Sequence, residues 1–164
     1  MKPKPIPPGP GQESVWDYPR PPRLEAVDEE VEVFFAGRSI AYTDAPLRVL
    51  ETSHPPVYYV PPDTVDEGVL EANGRTSWCE FKGEARYFDL VVGDQRSKDA
   101  AWAYGEPLAG YEAMAGYVGF YPGRVESALL DGEAVQAQPG GFYGGWITTS
   151  IVGPFKGLAG TLDW

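Results

Sequence analysis

The 164-residue sequence is poor in the side chains from which most catalytic and metal sites are built. It holds one cysteine, Cys79, and one histidine, His54, which excludes an internal disulfide framework and the usual four-ligand zinc site of nitrogen and sulfur. Cations are scarce as well: 13 Lys and Arg stand against 24 Asp and Glu, a formal charge of -11. Four basic and two acidic side chains fall in residues 1–24, so the other 140 residues carry -13, and a general nucleic-acid surface is excluded. No apolar run approaches the ~18 residues of a membrane span, and the first residues lack the apolar stretch of a signal peptide. The expectation is a cytoplasmic protein without membrane contact. P-loop, GxGxxG and GxSxG patterns are also absent, and neither a cofactor nor a metal is expected.

What is plentiful is 20 Gly, 17 Pro, 5 Trp, 10 Tyr and 7 Phe, a mix that suits short strands, tight turns and aromatic packing. Eight of the prolines fall in the first 22 residues. Residues 1–24 therefore read as a Pro-rich arm, structureless to residue 12 and then laid across the domain by Trp16 and Tyr18. Residues 25–138 read as a single domain, and residues 139–164, with seven glycines among Phe142, Tyr143, Trp146, Phe155 and Trp164, as a segment packed on it. Two hairpins are predicted, Val31–Phe35 with Arg38–Tyr42 around Ala36-Gly37, and Val125–Leu130 with Glu133–Ala137 around Asp131-Gly132. Further strands are expected at Leu47–Glu51, Val57–Val60, Thr76–Phe81, Ala85–Val92 and Tyr117–Tyr121. Thr64 followed by Glu67 reads as a capping box opening a short helix that Asn73-Gly74 closes, and Tyr111–Ala115 as one helical turn. The fold class is mainly β.

The candidate site residues are aromatic. Trp102 and Tyr104 share one face of an extended segment, and with Tyr58, Tyr59, Tyr87 and Tyr117 they exceed what a small core needs to hide. Such rings offer an apolar face and a polar tip, which suits a small-molecule pocket. His54, before Pro55-Pro56, reads first as a turn residue bonded to its surroundings and second as a general base. Cys79 reads first as an inert core thiol and second as a nucleophile.

The phrases from Arg48 to Tyr59, from Cys79 to Tyr87, from Ala101 to Tyr104 and from Gly116 to Tyr121 resemble the bacterial domain-of-unknown-function 427 family, in its order and spacing, over roughly residues 30–136. The resemblance implies a β-tent-like fold: two antiparallel sheets meeting at an angle, with one or two short helices and extended terminal arms. Cereblon-type and Yippee-type domains share that architecture, and their zinc sits on paired CxxC motifs that this sequence lacks. The family is sometimes catalogued under a nucleotidyltransferase-type label, yet no Asp-x-Asp pair follows a Gly-Ser here.

Three functional classes follow. The first is a module binding a small molecule in an aromatic pocket between the two sheets, through Glu51, Tyr58, Lys82, Tyr87, Trp102 and Tyr104. The second is an enzyme, a transferase or hydrolase, with Glu51 or His54 in acid–base work, Lys82 holding an anionic group and Cys79 as nucleophile. The third is an adaptor that makes contacts through its terminal arms. Convergence of Glu51, Lys82, Tyr87 and Trp102 on one concavity would favour the first two; scatter over both sheet faces would favour the third.

Overall fold

The computed structural model describes residues 2–164. Eleven strands build two antiparallel sheets: β1 (Arg23–Ala26), β2 (Val31–Phe35), β3 (Arg38–Thr43), β4 (Leu47–Leu50), β5 (Val57–Val60), β6 (Leu70–Cys79), β7 (Gly83–Val92), β8 (Gln95–Tyr104), β9 (Val118–Phe120), β10 (Ser127–Leu130) and β11 (Glu133–Ala134). The large sheet runs β1-β4-β5-β9-β8-β7-β6 and the small one β11-β10-β2-β3. The small sheet is the two predicted hairpins joined edge to edge, with Val31 opposite Leu130 and Val33 opposite Ala128, but the last strand stops at Ala134, and Gln136–Ala137 pairs instead with Trp146–Ile147. Ala36-Gly37 and Asp131-Gly132 turn them with positive φ at both residues, which matches the twist of the flanking strands. Short 3-10 turns are the only helical elements among the described residues, and none is long and apolar enough to cross a membrane.

Alternation assigns the two faces of the large sheet. Tyr58, Val60, Leu90, Ala101, Val118 and Phe120 face the small sheet and pack on Val31, Val33, Ile40, Ala128 and Leu130. Val49, Tyr59, Ala85, Tyr87, Trp102 and Tyr104 face the other way and form a second, aromatic cluster with Tyr111, Met114 and Tyr121. Both faces are thus covered, the second by the turns and the C-terminal segment rather than by a sheet.

The predicted helix after Thr64 is not formed. Thr64 Oγ1 donates back to the Pro61 carbonyl at 2.6 Å, Val65 is extended and bridges Ala41, and β6 starts at Leu70. Asn73-Gly74 lies inside β6, where the register with β7 shifts between Ala72 and Thr76. A charged network holds that bulge. Asn73 Nδ2 donates to Asp89 Oδ1 at 2.8 Å and Asp99 Oδ1 at 2.6 Å, while Arg75 and Arg96 take the remaining carboxylate oxygens at 2.7 and 2.8 Å. The bonds from Asn73, from the Asp99 amide at 3.0 Å and from Arg96 hold the Asp89 carboxyl below its ordinary range.

The arms are tied to the domain and to each other. Glu13–Ser14 pairs in parallel with Ile151–Val152, Trp16 Nε1 donates to the Pro154 carbonyl at 2.9 Å, and Val15, Tyr18, Leu50 and Ile151 form a third cluster. The expectation of a structureless start is corrected at Ile6, whose amide donates to the Gly153 carbonyl at 2.9 Å, and at Gln12, whose side chain donates to the Thr149 carbonyl at 2.9 Å. In the C-terminal segment Trp146 is fully buried, with Nε1 donating to the Phe120 carbonyl at 3.0 Å, whereas Phe142 is 60% exposed.

One row of directly opposed residues crosses five strands on the aromatic face: Leu47, Tyr59, Gly119, Trp102 and Tyr87. The glycine leaves a gap in that row and the Trp102 indole lies over it, so an alanine Cβ at Gly119 would sit 2.6 Å from the indole Cζ2. Overpacking of this kind costs about 1–3 kcal/mol. Gly119→Ala is therefore expected to destabilise the parent by that amount and to cost much less in a Trp102→Phe background, as read by urea denaturation in a double-mutant cycle. Equal costs in both backgrounds would show that the indole does not set the fit.

Candidate functional site

A cavity of about 350 Å³ opens on the aromatic face. Its floor is the sheet, through Val49, Val57, Tyr59, Tyr87, Trp102 and Tyr104; one wall is the turn from Glu80 to Lys82, and the other is Phe142, Tyr143 and Gly144. Five of the six predicted site residues line it: Glu51, Lys82, Tyr87, Trp102 and Tyr104. Tyr58 does not. It lies on the opposite face against Trp146, with its hydroxyl donating to Glu29 Oε1 at 2.7 Å, and Tyr59 takes the cavity position. No residue of the small sheet reaches the cavity, so the expected place between two sheets is corrected to the outer face of the large one.

Trp102 organises the floor. Its Nε1 donates to the Tyr59 hydroxyl at 3.3 Å, and its ring meets Tyr59 edge-on at 5.8 Å and Tyr121 at 4.6 Å between centroids. The C-terminal segment closes on the same indole at Gly144, where any Cβ would collide with Cη2. Tyr87 is fixed by a 2.9 Å bond to Ser77 Oγ, and Tyr121 donates to the Phe142 carbonyl at 3.0 Å. The Tyr104 hydroxyl has no hydrogen-bond partner among the described residues, although the residue is only 6% exposed. Burial pushes the Tyr59, Tyr104 and Tyr121 phenols up, so all three stay protonated.

Lys82 is the residue whose placement departs most from strand parity. The strand ends at Cys79, the turn is pinned by the Leu108 amide donating to the Lys82 carbonyl at 2.9 Å, and Gly83 takes φ +107 against Leu108. That geometry folds the lysine inward to 8% exposure. Its Nζ lies 3.3 Å from Cys79 Sγ and 5.7 Å from the Tyr104 ring centroid, and no carboxylate among the described residues pairs with it. Glu51, the carboxylate expected to share the site with it, is engaged elsewhere, by Arg20 Nε at 3.3 Å.

His54 is buried in the cavity wall and held by Gln138. The Gln138 Oε1 accepts from the Gly145 amide at 3.0 Å, and its Nε2 donates to the Lys156 carbonyl at 2.8 Å and to His54 Nδ1 at 3.0 Å. With the amide orientation fixed, Nδ1 accepts and the ring proton sits on Nε2, 3.8 Å from Glu51 Oε2. Burial, and then the charges of Lys156, Arg20 and Lys82, lower the imidazole pKa to about 3, so the ring is neutral. The sequence offered Tyr59 among the pocket aromatics but chose Tyr58 over it, and it missed Tyr121, Tyr143, Gln138, Lys156 and Gly144. Gly119, a glycine inside a strand, was the one local sign of a close approach on this face. Among the described residues no three His, Cys, Asp or Glu side chains are grouped as a metal ion would need.

Two outcomes follow. The unfolded chain takes up the His54 proton as pH falls through 6.5, whereas the folded one resists it to about 3, so stability is lost across that window. Between pH 7 and 4 the parent is expected to lose on the order of 3 kcal/mol more than His54→Gln in chemical denaturation; equal losses would contradict a neutral buried ring. Lys82→Met, which removes a buried cation lacking a carboxylate at nearly constant volume, is expected to unfold at the same or higher denaturant concentration. A loss above about 1 kcal/mol would show that the ammonium serves the fold.

No curated protein matches the chain. Residues 23–131, from β1 through the Asp131 turn, match the family described as a domain of unknown function (DUF427), and with well over half of its length matched the chain belongs to that family.

Proposed function

We propose that this protein is a non-catalytic module that binds a small molecule in the aromatic cavity. The observation that carries the reading is convergence. Glu51 after β4, Lys82 in the turn before β7, Tyr87 on β7, and Trp102 and Tyr104 on β8 line one concavity of about 350 Å³, within the range of small-ligand sites. Aromatic faces supply contact area, and the unpartnered Tyr104 hydroxyl and Lys82 ammonium supply orientation.

The acid–base alternative is disfavoured by His54 itself. A ring with a pKa of about 3 is a weak base at neutral pH, and its Nδ1 is occupied by Gln138. The adaptor alternative is weakened, because Trp16, Tyr18, Trp146 and Ile151 of the arms pack on the protein itself and leave Ile6, Phe142, Leu158 and Leu162 as the exposed apolar side chains there.

A metabolite screen by thermal shift tests the reading, run in parallel on the parent and on Val57→Phe, which narrows the cavity floor. A ligand at 100 times its Kd adds ~2.7 kcal/mol. Hits are expected to raise the melting temperature of the parent, to leave Val57→Phe unmoved and to be recovered chemically unchanged. Equal stabilisation of both proteins would place binding elsewhere, and turnover of a hit would make the protein an enzyme.

A further inference from the structure

Resting on that reading of the cavity, we infer that its ligand is a small planar carboxylic acid, its ring lying against the Trp102 and Tyr104 faces and its carboxylate held by Lys82 Nζ and the Tyr104 hydroxyl. One buried cation points this way. The chain as a whole is at -11, and the cavity lining balances Lys82 and Lys156 against Glu51 and Glu80. Glu51 is taken by Arg20, whereas Lys82 Nζ has the Cys79 thiol at 3.3 Å and the Tyr104 ring at 5.7 Å and no carboxylate among the described residues. A cation more than nine-tenths buried and without a carboxylate costs the fold free energy unless a ligand or water compensates it. A carboxylate arriving there gains a charge-assisted hydrogen bond.

The remaining polar groups narrow the class. The Tyr104 phenol is protonated and without an acceptor among the described residues, so it adds a second donor, on the ring that Lys82 Nζ overlies at 5.7 Å. The other phenols of the floor are engaged: Tyr59 accepts from Trp102, Tyr87 is bonded to Ser77, and Tyr121 donates to the Phe142 carbonyl; the Tyr143 hydroxyl, also without a hydrogen-bond partner among the described residues, belongs to the C-terminal wall. Two donors, one of them charged, match the two oxygens of a monoanion. A phosphate ester is a poorer match, because the wall offers no arginine fork and carries the carboxylates of Glu51 and Glu80. Size sets the rest. About 350 Å³ lies at the small end of ligand sites and takes one or two fused rings with a short acidic arm. Tyr59, Tyr87, Trp102 and Tyr104 line the floor and give a flat ring aromatic surface to pack on.

Calorimetric titration with matched pairs tests the inference: 4-hydroxybenzoate against 4-hydroxybenzamide, and indole-3-carboxylate against indole-3-carboxamide, on the parent, Lys82→Met and Val57→Phe. The acids are expected to bind the parent at least tenfold more tightly than their amides. Lys82→Met should remove that preference, so that acid and amide bind it alike, and Val57→Phe should weaken acids and amides together. Amides that bind as tightly as acids, or an acid preference that survives in Lys82→Met, would overturn the acid class while leaving the cavity as a binding site. Acids that bind Val57→Phe as well as the parent would overturn both readings, and acids that fail to bind the parent at millimolar concentration would overturn this one. Cooperative melting of each variant, followed by circular dichroism, keeps a failure to fold from being taken for a loss of binding.

Discussion

The packing of one indole over one missing side chain holds this molecule together at its aromatic face. Trp102 lies across the gap left by Gly119 in the adjacent strand, and Gly144 of the C-terminal segment comes down on the same ring. A methyl group at either glycine would have to displace the ring or the chain, and protein interiors yield little to such changes. The large sheet and the C-terminal segment are therefore fitted to each other through a single side chain. The same ring donates to Tyr59 and forms the cavity floor, so the shape of the cavity and the closure of the C-terminal segment are set by one contact.

Electrostatics then divides the cavity from the rest of the surface. Burial keeps the phenols and the His54 imidazole neutral, and Gln138 fixes which nitrogen of that imidazole is protonated. The same glutamine amide bonds Gly145 and Lys156, so it fastens the C-terminal segment at two points while it orients the ring. Lys82 is left as the buried charge without a counter-ion, in a protein whose surface is otherwise strongly acidic. Polar side chains in such a wall are expensive for the fold, and they concentrate where a ligand repays the cost.

Much of this was legible in the sequence because short strands advertise themselves by alternation and by their turns. Ala36-Gly37 and Asp131-Gly132 named both hairpins of the small sheet, and Trp102 with Tyr104 named the aromatic face. Parity failed where register decides. Tyr58 and Tyr59 are adjacent, and only the pairing of Leu47 with Tyr59 and Arg48 with Tyr58 settles which one faces the cavity. The helix expected after Thr64 lost to extended pairing, since Val65 bridges Ala41 and Leu70 pairs with Leu90. The burial of Lys82 was illegible because the turn that carries it is folded inward by Leu108, 26 positions on in the chain, and local composition holds no trace of that contact. The contribution of Phe142, Tyr143 and Lys156 to the wall is likewise a matter of where a glycine-rich segment docks, which glycine content alone leaves open.

The five indole N–H groups of the protein report on separate regions, and following them by two-dimensional nitrogen–proton NMR during a titration with 4-hydroxybenzoate is the most direct test of where a planar acid sits. Trp102 lies on the cavity floor, Trp78 is exposed at its rim, Trp146 is buried under the sheet, and Trp16 and Trp164 pack on each other at 5.7 Å between the arms. The account predicts a saturable shift of the Trp102 signal, a smaller one at Trp78, and unmoved signals from Trp146, Trp16 and Trp164. A saturable shift confined to Trp16 and Trp164, or no shift at Trp102 at saturation, would contradict it.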